Sequence, residues 1–219
     1  MNTQNDDTPA HDLGVFTDEL LEAIHQAGEP ELVRGKRDEA FGHYRSTPNP
    51  TPFDEEWRRT DPNWFAFSGL TPLPVLGPVP AGEPHPHDAE FDVVVEVTDQ
   101  GYSITDQTGA MENETVHVTP LGAALEGCPE GVGPKVNGRI LPPTFDKFVA
   151  FNQAFWNMGL IIYIPEGKVL EKGVLLRYAH AANESVLIPQ LVVVAGKQSQ
   201  ATVVETTTSP ADIRMLSVS

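Results

Sequence analysis

The chain has 219 residues, with 14 Lys and Arg against 31 Asp and Glu, for a formal net charge of −17. That length supports one large domain or two small ones around a real apolar core. So negative a surface repels phosphate backbones and anionic lipid, which argues against nucleic acid and membrane as partners and leaves solubility, a basic protein or metal cations.

Residues 1–12 are polar and acidic and read as disordered. They lack the basic start and apolar stretch of a signal peptide. No run in the chain approaches the ~18 apolar residues of a membrane span. A single cysteine, Cys128, excludes an internal disulfide framework and fits a reducing compartment, so the expected location is the cytoplasm.

Thr17 followed by Asp18 and Glu19 is a helix start, and Phe16, Leu20, Ile24 and Ala27 keep a four-residue step until Gly28. A second helix opens at Glu29-Pro30, and Val33, Arg37, Phe41 and Tyr44 continue the step until Pro48. The two form an antiparallel hairpin. Half of the 20 prolines then fall between Pro48 and Pro86, which excludes long helices and central strands and marks a connector, with a short helical piece at 54–60. Phe91 to Val97 and Tyr102 to Thr105 flank an Asp99-Gln-Gly101 turn and read as a β-hairpin. A short helix follows Thr119, and a Gly/Pro-rich loop runs from Cys128 to Pro143.

Asp146 to Gly167, DKFVAFNQAFWNMGLIIYIPEG, reads as a helix capped by Thr144 that passes directly into a buried strand. Phe148, Phe151, Phe155 and Trp156 supply the helical face; Asn157 and Gly159 break its period; Leu160 to Ile164 is an apolar, β-branched run. Further runs at 173–178, 187–194 and 201–206 alternate with Gly167 and Gly196 corners, whose separation falls in the ~20–50 residue range of structural repeats. From periodicity alone, a solenoid and an antiparallel sandwich fit equally.

Several of these segments together resemble the SufB/SufD family, scaffold subunits of the Suf iron–sulfur cluster assembly machine. The helix, strand and Pro-x-Gly corner at 146–167 carry the resemblance most strongly. Gly28 to Glu31 with Arg34 and Arg37, Val118 to Leu125, and Leu191 to Pro210 add to it. Glu55-Glu-Trp-Arg-Arg-Thr-Asp61 resembles a signature of the SufD branch. Two departures from the SufB pattern favour the same branch: His180 stands where those chains have Arg, and Thr207 where they tend to have Cys.

The resemblance implies an α+β fold in which an N-terminal helical hairpin is followed by the first rungs of a right-handed parallel β-helix. The expected segments are a helical region at 1–47, a Pro-rich connector at 48–90, a small α/β insert at 91–143 and the β-helix start at 144–219. It implies a non-catalytic subunit acting with SufB-like and SufC-like proteins, the latter an ATPase, through docking regions that lie in the family's C-terminal region and are largely missing from this chain. The iron–sulfur cluster would be assembled in the full complex, with no cofactor bound by this chain alone. Family members are about twice as long, so the chain is expected to be their N-terminal half.

Candidate chemistry outside the resemblance is sparse. A cluster needs about four ligands, and Cys128 alone cannot supply them. His85-Pro-His87-Asp88 gathers two imidazoles and a carboxylate in a stiff loop, a weak metal signal. Trp57, Arg58 and Arg59 read either as a partner contact or as a staple between the helical hairpin and the β region. His180 is a further contact candidate, expected to be partly exposed. Glu96, Glu171 and Glu205 stand apart from each other, which disfavours a carbohydrate-active enzyme. The competing functional reading is a stand-alone acidic module that binds metal or protein.

Overall fold

A computed structural model describes residues 16–26, 28–55, 57–59, 69–127, 141–212 and 215–217. The helical hairpin consists of α1 (Asp18–Gln26) and α2 (Glu31–Ser46). Thr17 Oγ1 accepts from Leu20 N–H at the start of α1, and Pro30 stands just before α2, where its missing N–H costs nothing. A third helix, α3 (Leu121–Leu125), is short. The fourth, α4 (Lys147–Phe155), packs along α2. Its cap is Asp146 rather than Thr144, since the Asp146 carboxylate accepts from Val149 N–H at 2.7 Å.

Among the described residues there are ten strands, in chain order β1 (Thr71–Pro72), β2 (Val93–Thr98), β3 (Gly101–Asp106), β4 (His117–Pro120), β5 (Met158–Ile164), β6 (Val174–Ala179), β7 (Ser185–Leu187), β8 (Pro189–Ala195), β9 (Val203–Thr208) and β10 (Met215–Ser217). They form three sheets, ordered β1-β7-β10, β3-β2-β6-β9 and β4-β5-β8. The hairpin read at 91–105 is β2–β3, with Val97 opposite Tyr102 across the Asp99-Gln100 loop.

The β-helix expectation is corrected here. None of the three sheets is closed or solenoid-like, and two of them contain an antiparallel pair, β2–β3 and β4–β5. The architecture is mixed α+β with several small sheets. The late strands do pair in parallel, with Leu160 beside Leu191, Leu176 beside Glu205 and Val186 beside Leu216. Their other edges, however, are taken by β4, β2 and β1 from earlier in the chain. Evenly spaced β-branched runs encode strands but not the identity of each strand's second neighbour.

Asn157 shapes this arrangement. The run read at 187–194 is broken at Ile188, because Ile188 N–H donates to Asn157 Oδ1 at 2.8 Å and Ile188 O accepts from Asn157 N–H at 3.0 Å. The Asn157 amide nitrogen donates to Leu73 O and Val186 O, and its backbone carbonyl accepts from Leu76 N–H. One buried side chain thus ties the connector, the end of α4 and β7 together. Close packing continues at Gly159, where a Cβ would sit 2.9 Å from both Leu121 Cβ and the Trp156 ring.

The core has two parts. Under the helices, Phe16, Phe41, Tyr44, Phe151, Phe155 and Trp156 pack with Val33, Leu121 and Ile188. Between the sheets, Val93, Val95, Met158, Leu160, Ile162, Val174 and Leu176 form a mainly aliphatic cluster.

Candidate functional site

Trp57 packs its ring on Phe148 of α4, with centroids 4.9 Å apart and planes 31° from parallel. This places the Trp57 segment against the helix that leads into β5. Arg58 is exposed and paired with Glu55 at 3.2 Å, and Arg59 is exposed. The backbone around them turns, with Trp57 N–H donating to Asp54 O. Glu56 and residues 60–68 lie outside the described residues, as does Cys128.

His180 corrects its expected exposure. The side chain is fully buried, because the Asp99 carboxylate of the β2–β3 turn closes over it. Asp99 Oδ2 accepts from Ala181 N–H at 2.9 Å and Ala182 N–H at 2.7 Å, while Oδ1 lies against His180 Nδ1. That last contact is close enough for an ion pair but misaligned for a hydrogen bond. Neither ring nitrogen has a hydrogen-bond partner among the described residues. The Asp99 carboxylate, rather than the imidazole, holds the β6–β7 turn through its bonds to Ala181 and Ala182 N–H.

The loop from His85 to Glu90 is firmly held. Asp88 N–H donates to His85 O at 2.9 Å, and Asp88 Oδ2 accepts from His85 N–H at 2.8 Å. Asp88 Oδ1 is taken by the Arg177 guanidinium, which also reaches Glu96 at 3.7 Å. Burial pushes the Asp88 carboxyl up, but the Arg177 and His85 hydrogen bonds and the charge of Arg177 outweigh it and hold it below its usual range. The one carboxylate of this weak metal motif is therefore committed to Arg177. The two imidazoles remain exposed, and His87 Nδ1 faces Glu90 Oε1 at 2.6 Å. Among the described residues, no group of three His, Cys, Asp or Glu side chains is assembled to hold a metal ion.

Two further carboxylates fasten the β2–β3 hairpin. Asp92 accepts from Lys172 N–H, Gly173 N–H and Thr108 Oγ1. Asp106 accepts from the N–H groups of Ala110, Met111 and Glu112. Burial raises the Asp106 carboxyl, yet these backbone donors prevail and keep it below its ordinary value.

Arg37 was legible only as an oddity in an apolar helical step. Its guanidinium is fully buried, holds Glu29 through Nε (2.8 Å) and Nη2 (2.6 Å), donates from Nη1 to Ala154 O and lies 3.9 Å over the Trp156 ring. Burial lowers its proton affinity, opposed by the Glu29 hydrogen bond and charge. Lys147 serves the same joint by donating to Tyr44 O and Thr47 O at the end of α2, where a cation complements the helix dipole.

No protein-family model matches the chain, and no curated protein matches it as a relative. No helix among the described residues is long and apolar enough to cross a membrane.

Proposed function

We infer that the chain is a non-catalytic, SufD-like subunit of an iron–sulfur cluster assembly scaffold, working in the cytoplasm with SufB-like and SufC-like proteins. One observation carries this reading: the resemblance of residues 146–167, a helix, strand and Pro-x-Gly corner, to the SufB/SufD family. The Glu55 to Asp61 signature and the His180 and Thr207 departures assign the branch. The reading rests on these motifs and not on a β-helix, which the fold does not contain. The 146–167 stretch joins the helical core to the sheets through Asn157, and Trp57 packs on Phe148.

In this reading the chain contributes surface and shape. ATP hydrolysis belongs to the SufC-like partner, and the cluster is cargo of the whole assembly rather than a cofactor of this chain. Affinity purification of the tagged chain, joined to the C-terminal half of a family member, from its own cells tests it. The expected result is co-purification of a SufC-like ATPase and a second scaffold subunit in stoichiometric amounts. Recovery of the joined chain alone, at an abundance where those proteins are present in the lysate, overturns it in favour of the stand-alone binding module.

A further inference from the structure

We propose that His85 and His87 form an exchangeable binding site for a borderline divalent cation of the zinc class, held on the surface by the 85–90 loop. The loop is preorganised. Asp88 closes it onto His85 through both backbone and carboxylate and anchors it to Arg177. Lys172 Nζ donates to Ala89 O at 2.9 Å, and Glu90 N–H donates to His87 O at 3.1 Å. Pro86 restricts the backbone between the two histidines.

On this frame the imidazole centroids stand 5.4 Å apart with planes 34° from parallel. Two imidazoles bound through nitrogen to one tetrahedral zinc ion, each Zn–N about 2 Å, place their ring centres on the order of 5 Å apart. The observed separation of the rings matches that spacing.

Glu90 supplies the positioning carboxylate. Its Oε1 faces His87 Nδ1 at 2.6 Å, which fixes the proton on that nitrogen and leaves Nε2 as the ligand, the arrangement common to zinc-bound histidines. His85 Nδ1 accepts a long bond from His87 N–H at 3.3 Å, and this weak contact yields when Nε2 takes the ion. Water completes the coordination shell, since only two protein ligands are present. Two ligands make a weak, exchangeable site and not a resident structural or catalytic metal centre. The charge of the chain, −17, raises the local concentration of divalent cations around it. The inference is independent of the assembly reading.

Titration of the full chain with Zn²⁺ by isothermal calorimetry tests it, alongside the H85Q/H87Q and E90Q variants. The result expected is one saturable ion per chain, lost in the double variant and weakened about tenfold in E90Q, the usual effect of removing a carboxylate behind a ligating histidine. A titration with no saturable uptake, or uptake unchanged in H85Q/H87Q, overturns the site. Backbone amide shifts on wild-type protein give a reading that needs no variant: Zn²⁺ must perturb residues 84–91 first, and saturation elsewhere with that loop silent contradicts the proposal.

Discussion

The core under α1, α2 and α4 is aromatic and encloses an ion pair, whereas the core between the sheets is mainly aliphatic and keeps its charges at strand ends. In the helical part, Phe16 meets Phe151 at 4.7 Å and Phe41 meets Phe155 at 5.4 Å, both edge to face. Arg37 and Glu29 are sealed beside them. In the sheet part, Asp92 accepts at the N-terminal end of β6 and Asp99 just beyond its C-terminal end, while Val93, Val95, Val174 and Leu176 fill the interior. The comparison teaches where each half is fragile. A buried ion pair contributes little net stability but is costly to halve, because the remaining charge loses its partner without regaining water. A continuous backbone ladder with carboxylates at its rim spreads the cost over many groups.

The largest effect separating the two halves is expected from Arg37→Ala. It leaves the buried Glu29 carboxylate with only the His25 ring, 3.8 Å away, and should destabilise the fold by about 3–5 kcal/mol in denaturant titration. The paired change Arg37→Met with Glu29→Gln should recover most of that loss; a double variant as unstable as Arg37→Ala would show that packing rather than charge is at stake. Next comes Asn157→Ala, at the joint between the halves. It strips the side-chain partner from Leu73 O and Ile188 N–H and one of two donors from Val186 O, which keeps Leu73 N–H, and about 2 kcal/mol is expected from the two groups that lose it. A loss below 1 kcal/mol would mean that the halves are joined elsewhere.

The smallest effect concerns acid. The Asp88 and Asp106 carboxyls lie below their ordinary range in the folded chain, so the stability they contribute is complete above the unfolded value of about 3.9 and declines as pH falls through it toward the folded values. Asp106→Asn should flatten the pH dependence of unfolding below pH about 4 while changing the dependence near neutrality little. An unchanged acid limb would remove Asp106 from the account.

Much of the local structure was legible from residue spacing. The two N-terminal helices, the β2–β3 hairpin and the passage from α4 into β5 follow from four-residue steps, an Asp-Gln-Gly turn and a β-branched run. Partnership was not legible. The break between β7 and β8 is set by Asn157, which lies far away in sequence, so the run from Leu187 to Val194 reads as one strand. The distribution of strands over three sheets depends on which early strand takes each second edge, and alternation alone carries no such address. The candidate residues divide in the same way. The His85-x-His87 pair is visible as a motif, but the capture of Asp88 by Arg177 and the enclosure of His180 by Asp99 are long-range events. Arg37 did leave a trace, as a cation on a step otherwise made of Val33, Phe41 and Tyr44.

The assembly reading is tested most directly by mixing the purified chain, alone and joined to the C-terminal half of a family member, with the SufB-like and SufC-like proteins of the same cells and measuring mass during size-exclusion chromatography by light scattering. The account predicts a single co-eluting species whose mass requires all three chains for the joined form only. Separate elution of the joined form at micromolar concentrations, with the other two still bound to each other, would contradict it.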